Sequence, residues 1–579
     1  MMLSRSAFAT PLRGLLARPS AATLRRSAVL QRSGRALCTG VQDGDEDDYE
    51  PPRHVKIVAT IGPASEEAEP LKGCVAAGMN VMRVNFSHAT RDEFHLRRNN
   101  LRDNPDGQNV AVMLDTKGPE IRMGGLKVCK ETGNRKAKMS LVAGNALTLT
   151  NDKAYDGASD ESMLYVDYQR LAEVVSVGDR VLLDDGLISL RVTGVGKDGT
   201  VATEVLNSSE IGERKGINLP GVKTGLPAMS DKDKEDIKFG LAHDIDMVAA
   251  SFVRSAEGVH EIRDYMRQCV AELQAEYAKS GAAGLADPRA ADDDQKSGAT
   301  VGYHNEGVPL PLIISKIEST EALEELPEII EASDGIMVAR GDLGVEVPIQ
   351  QVATYQKDMV EMCLAMGKPV IVATQMLESM QKNPRPTRAE VADVTNAVID
   401  GCDAVMLSGE SANGQYPVES IETQAAIVTN AEEWAYERNL KPSVIAEAHG
   451  GDAPGGPDET FDQDDAMSAA ACLLAERVGA AAIIVEETGF GDLSRCVAKH
   501  RPSMPIAAVC DDLKVARQLA VSRGIHAAFV HAESEIDDTE VAAFVHQSTG
   551  LLEPGETAVI LRSDEMSMRP SIELETFMA

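Results

Sequence analysis

Between Leu312 and Leu407 the chain carries four short apolar runs: LIISKI (312–317), GIMVA (335–339), PVIVAT (369–374) and DAVML (403–407). Longer amphipathic stretches separate them. Working upstream, four more runs of the same kind appear: HVKIVAT (54–60), NVMRVNF (80–86), NVAVMLDT (109–116) and IDMVAASFV (245–253). Near-continuous β-branched strands alternating with helices imply a parallel sheet covered on both faces, since a strand with one wet face would alternate polar and apolar residues. Eight such units predict an α/β fold of the (β/α)8, or TIM, barrel type.

One interval breaks this rhythm. From residue 117 to 215 the chain turns to short alternating strands with turn signals, such as LTLT (147–150) and LISLRVTGVGKDGTVATEVL (187–206). This predicts a small β-barrel domain inserted after the third strand, dividing the barrel into residues 53–116 and 216–420. An insertion there overhangs the C-terminal ends of the strands as a lid. After the last barrel unit, residues 421–579 carry a second pattern: a helix near 466–477, then strands AAAIIVEE, PIAAVC and TAVILR. That predicts a separate C-terminal α/β domain. Residues 279–308 and 448–465 are rich in Gly, Ala, Pro and acid, and read as surface loops.

The 579 residues are 43% hydrophobic and 26% charged, ordinary for a globular chain of about three or four domains. The formal net charge of -34 argues against non-specific nucleic-acid binding and against docking on an anionic membrane, both of which need a basic footprint. No run of about 18 apolar residues occurs, so no membrane span is expected. The nine cysteines form no CxxC pair, which predicts reduced, mostly buried thiols and gives no support for a zinc site. Residues 1–40 differ from the rest: seven Arg, no Lys, no acid and five Ser. Such a composition predicts an organelle transit peptide, mitochondrial ahead of plastid. Gly194–Gly199 (GVGKDG) matches GxGxxG but opens no helix, so it reads as a hairpin turn.

Barrel chemistry sits where strands end. Lys316 and Glu318 are two residues apart and share a strand face. Asp342 stands between glycines after the sixth run. Glu318 and Asp342 supply two hard oxygen ligands, which suits Mg²⁺ completed by substrate oxygens. Arg83, Asn85 and Ser87 share a face of the second strand; the third ends in Asp115-Thr116-Lys117, and the seventh in Thr374. Carboxylates for a metal, cations for a phosphate and neutral oxygens together suit phosphoryl transfer.

In order, HVKIVATIGPAS, MRVNFSH, LDTKGPEIR, ISKIES, MVARGDLGVE, VATQMLESM and PTRAEVADVTNAVIDGCDAVMLSGESANGQYP resemble the motif series of the pyruvate kinase family over residues 53–579. The resemblance implies a homotetramer with a regulatory C-terminal domain, transferring the phosphoryl group of phosphoenolpyruvate to ADP in glycolysis. It implies that Glu318 and Asp342 bind Mg²⁺ or Mn²⁺ and that Lys316 stabilises the transferring phosphoryl group. It places Arg83, Gly341, Asp342 and Thr374 on substrate. Asn85, Ser87, Asp115 and Thr116 fall on the family's K⁺ ligands, and Glu120 on a position where Glu accompanies a required monovalent cation. The Asn85-Phe86-Ser87-His88 turn, Arg122 and Lys215 fall on the nucleotide site.

Two departures stand out. The family's RLNFSHG appears here as RVNFSHA. Members that bind a sugar bisphosphate carry a loop such as TKSGRSA in the C-terminal domain, where this chain has Glu486, Glu487 and Asp492. A Mg²⁺-dependent lyase of the wider phosphoenolpyruvate/pyruvate barrel group and a non-catalytic regulatory paralogue are the alternatives. Arg122, Lys215 and the inserted domain weigh against the first; intact Lys316, Glu318, Asp342 and Thr374 weigh against the second.

Overall fold

The computed structural model describes residues 52–579, apart from residues 135, 281–284, 287–299, 302–309, 439, 441–462, 488, 531–540, 565–568 and 579. The predicted transit peptide and most of both predicted loops lie outside the described residues. Within the first loop, a helix runs on through Ser280, and Leu285–Ala286 pairs with Thr300–Val301.

All eight predicted runs form strands: β1 (Lys56–Thr60), β2 (Val81–Asn85), β3 (Ala111–Asp115), β4 (Met247–Ala250), β5 (Leu312–Ile317), β6 (Gly335–Ala339), β7 (Val370–Ala373) and β8 (Ala404–Leu407). Each pairs in parallel with its sequence neighbours, and β8 closes on β1. The period of two sorts the side chains. Val58, Val81, Met113, Met247, Ile314, Met337, Ile371 and Met406 fill the barrel interior. Their neighbours, such as Ile57, Val84, Leu114, Ile313, Val338 and Val405, pack outward against the helices. On β5 the inward set runs Leu312, Ile314, Lys316. Apolar residues plug the lower barrel and the polar ones emerge at its C-terminal mouth.

The inserted segment is a seven-stranded sheet that starts at Ile121–Arg122 and ends at Met163–Tyr165. An antiparallel bridge between Met123 and Val166 joins its first and last strands, curling the sheet into a small barrel around Leu147, Leu149, Val181, Leu190 and Val201. The GxGxxG match is a hairpin turn, with Gly196 N–H donating to Thr200 O at 2.7 Å between antiparallel strands.

The C-terminal sheet has five strands in the order 525–529, 506–510, 482–487, 557–564, 569–576; the last is antiparallel. It lies against the opposite end of the barrel from the insertion. Arg501 donates to both carboxylate oxygens of Asp403 (3.0 and 2.7 Å) and to Gly401 O (3.1 Å) at the start of β8. Lys514 and Arg517 reach Asp244 below β4 at 3.2 and 3.0 Å. None of the eight described cysteines forms a disulfide; seven are buried and Cys496 is half-buried.

Candidate active site

At the barrel mouth, Lys316 is buried and held from three sides. Its Nζ lies 2.8 Å from Ser251 Oγ, 3.3 Å from Asp115 Oδ1 and 3.0 Å from Glu318 Oε1. Burial alone would favour the neutral amine, but Asp115 and Glu318 outweigh it and hold the ammonium charged. Asp115 is likewise desolvated, yet Arg83 and Lys316 keep its carboxyl below the usual range. Arg83 Nε donates to Asp115 Oδ2 at 2.7 Å, and its Nη1 to Thr60 Oγ1 at 2.8 Å. Ser251 Oγ donates to Thr116 O at 2.6 Å. Arg83, Asp115, Thr116, Lys316 and Glu318 therefore form one buried network, brought together by the inward positions at the ends of β2, β3 and β5.

Glu318 Oε2 accepts the Phe252 N–H at 2.6 Å, while among the described residues buried Oε1 meets the Lys316 ammonium at 3.0 Å without a well-aligned hydrogen bond. Burial, and next the Glu318 charge, push Asp342 up to about 8. An under-coordinated carboxylate oxygen beside a second, electrostatically strained carboxylate fits a divalent cation, which would relieve both. Among the described residues no group of three or more His, Cys, Asp or Glu forms a complete metal cage. Two carboxylates plus substrate oxygens remain the arrangement the donors suit.

Asn85 sits opposite Asp115 in the β2–β3 register, and its Oδ1 accepts the Ser87 N–H at 3.0 Å. That leaves Ser87 and His88 exposed on the turn. Phe86 departs from the expected role. Its ring points outward, against Phe94 and Phe239 at centroid distances of 5.7 and 6.1 Å, and is 2% exposed. Phe86 is one step out of phase with Arg83 and Asn85, and its backbone is engaged as well: the N–H donates to Asp115 O at 3.0 Å and the carbonyl accepts from Lys232 Nζ at 2.9 Å. Gly341 and Thr374 meet: a Cβ at Gly341 would stand 3.0 Å from Thr374 Cγ2.

Arg122 and Lys215 lie on the inserted sheet, where Gly216 pairs with Arg122. Arg122 is bound to Glu120 at 2.5 Å and Lys215 to Asp184 at 3.0 Å. Both cations are thus paired within the insertion rather than joined to the Lys316 network. A cleft separates the insertion from the barrel, lined among others by Glu120, Asp185, Arg254, Asp342 and Glu346. Asp184 and Asp185 hold φ of 52° and 53° in the turn above it.

Reasoning from sequence missed Ser251, Thr60, Asp185 and Arg340. Ser251 and Thr60 carried a usable signal, as polar residues in phase with the inward faces of β4 and β1. Asp185 and Arg340 carried none: Asp185 reaches the cleft only through the fold of the insertion, and the partners of Arg340 come from distant segments.

The chain matches two family models: "Pyruvate kinase, barrel domain" over residues 52–276 and 287–421, and "Pyruvate kinase, alpha/beta domain" over residues 465–572. It is 40% identical to pyruvate kinase of Geobacillus stearothermophilus over 514 residues, covering 88% of this chain and 77% of the relative. It is 40% identical to human pyruvate kinase PKLR over 482 residues, covering 82% and 74%. A crystal structure of a pyruvate kinase from Cryptosporidium parvum aligns with a TM-score of 0.76 at 34% identity, covering 90% of this chain and 96% of that one. With a closed barrel carrying the Lys316 network at its mouth, an inserted sheet above it and an α/β unit below, the chain belongs to the pyruvate kinase family.

Proposed function

We propose that the barrel mouth transfers the phosphoryl group of phosphoenolpyruvate to ADP, giving pyruvate and ATP. The observation that carries this reading is Lys316, a buried ammonium kept charged by Asp115 and Glu318 at the point where the second carboxylate, Asp342, approaches. Phosphoryl transfer makes little covalent demand on the protein; it needs positive charge placed in advance and an acceptor brought into line.

Arg83 and Lys316 are fixed by their own ion pairs, so they need not reorganise as charge moves to the bridging oxygen. Glu318 and Asp342 would hold Mg²⁺ or Mn²⁺, which when bound neutralises phosphoryl oxygens. Asn85, Ser87, Asp115 and Thr116 would hold K⁺ beside the phosphate. The 85–88 turn, Arg122 and Lys215 would receive the nucleotide, with the two cations released from Glu120 and Asp184. The insertion, overhanging the cleft, would exclude water as a competing acceptor. Thr374, held against Gly341, would stand near the carbon that gains a proton as enolpyruvate becomes pyruvate.

The deciding experiment is pyruvate formation from phosphoenolpyruvate and ADP by the purified chain with Mg²⁺ and K⁺, followed in a coupled assay. No pyruvate under any metal combination would refute the reading. We extend the proposal to a homotetramer, supported by the family resemblance, and to mitochondrial (alternatively plastid) import, supported by the composition of residues 1–40. Sedimentation and a reporter fused to residues 1–45 test these separately.

A further inference from the structure

Thr374 and Gln375 follow the last residue of β7 with φ of 75° and 56°. Two successive non-glycine residues in the left-handed region, one of them β-branched, do not persist unless something over-determines them. One side chain, Arg340, binds this segment at three points. Arg340 Nε donates to Ala373 O at 3.0 Å, and its Nη2 to Thr374 O at 2.6 Å and Met376 Sδ at 2.8 Å. The same guanidinium is anchored from outside the barrel by Asp393 (Nη1–Oδ1 2.8 Å, Nη2–Oδ2 2.8 Å) and by Gln356 Oε1 at 3.2 Å. Asp393 lies on the helix Arg388–Asp400 and Gln356 on the helix Val352–Ala365. Arg340 also directly precedes Gly341-Asp342.

We infer that Arg340 is a positioning residue that holds the Thr374 peptide in its left-handed geometry and so fixes where the Thr374 hydroxyl stands over the reacting carbon. A buried ion pair with Asp393 alone would not explain the arrangement. Donors on the same guanidinium are directed at two consecutive carbonyls of the strained segment and at the sulfur just beyond. A lysine could keep the charge opposite Asp393 but has no planar fork to reach both carbonyls. Gly341 supplies the other wall, since its missing Cβ leaves room for Thr374 Cγ2. The end of β6 thus presents Asp342 and, through Arg340, sets the geometry of Thr374 on β7.

The inference rests on the proposed role of Thr374, and the test separates the two. Wild type, Thr374→Ala, Arg340→Met and the double variant are compared for kcat and KM toward phosphoenolpyruvate. We expect Arg340→Met to lower kcat by about 100-fold, the scale of a misplaced reacting group, with KM changed little. In the Thr374→Ala background the same substitution should cost almost nothing further, because no hydroxyl remains to be placed. Equal losses in both backgrounds would overturn the inference. So would a crystal structure of Arg340→Met that keeps Thr374 at φ near 75°, a readout independent of catalysis. If Arg340→Met does not fold, Asp393→Asn is put through the same cycle, with a smaller loss of the same pattern expected. Wild-type activity that survives Thr374→Ala intact would refute the role of Thr374 itself.

Discussion

At the scale of single residues, the charge of Lys316 is the claim most open to test. The side chain is buried among Asp115, Ser251 and Glu318, and every contact it makes favours the ammonium. A charge aimed at the transferring group acts on the transition state more than on bound substrate. Lys316→Met should therefore lower kcat by about 100- to 1,000-fold while substrate still binds measurably. Isothermal titration beside the coupled assay reads both, and a near-wild-type kcat would end the assignment. Glu120 supports a second prediction. Its carboxylate is held by Arg122 at 2.5 Å and Lys117 at 3.7 Å, a few residues along the chain from Asp115 and Thr116, the proposed K⁺ ligands. Activity should collapse in buffer free of potassium and sodium, and Glu120→Lys should make the enzyme less dependent on either. Full activity of the unmodified chain without a monovalent cation would contradict this.

At the scale of elements, the eight barrel strands were legible because a strand buried on both faces must be apolar almost throughout, and such runs cannot be confused with an exposed hairpin. The strands Ile525–Phe529 and Arg569–Thr576 were not legible. The first reads IHAAF, short and poor in β-branched residues; the second reads RPSIELET, a polar edge strand whose place depends on pairing with 557–564. Site residues on inward positions of strands were readable from the period of two, which is why Arg83, Asp115, Lys316 and Glu318 were found together. The same parity turns the Phe86 ring away from the site. Arg340 was not readable, because its partners on two outer helices and on β7 meet it only in the folded chain. The joint between barrel and C-terminal domain also emerges only in the fold. Arg501 and Asp403 are both buried, so Arg501→Ala strands a carboxylate and should cost about 3–5 kcal/mol in the stability of that joint. Urea unfolding followed separately in the two domains would show it; an unchanged midpoint would contradict it. The pH dependence of the joint has a definite sign. Burial opposes ionisation of Asp244, but Lys514 and Arg517 prevail and lower it to about 2. The stabilisation it provides is present above the ordinary carboxylate range near 4 and is lost as the pH falls from there toward 2.

At the scale of the whole molecule, the question is whether a ligand on the C-terminal domain can act on the barrel mouth. The path exists: the helix Asp492–Lys499 leads into Arg501, which grips Asp403 at the start of β8. The receiving end is filled by the chain itself. Glu487 accepts the backbone N–H of Ser494 at 3.0 Å and its hydroxyl at 2.8 Å, so a carboxylate already occupies the first turn of that helix. Glu486 pairs with Arg562 at 3.3 Å. The nearby cations are also committed: Arg495 to Asp492 at 2.9 Å and to Phe490 O at 2.6 Å, Lys499 to Asp465 at 3.0 Å, and Arg501 to Asp403. A sugar bisphosphate would bring about four negative charges to this loop, and two like charges at 4 Å repel by roughly 1 kcal/mol even in bulk water. Fructose 1,6-bisphosphate should therefore activate weakly or not at all. Replacing Glu487 with Gln should not create activation by itself, because Asp492 and Glu486 remain and Arg495 stays bound to Asp492. The measurement is the phosphoenolpyruvate saturation curve with and without the bisphosphate. A several-fold leftward shift at micromolar effector would mean that Arg495 and Lys499 leave their acids for the ligand, and that the acidic loop is a displaceable plug rather than a closed site.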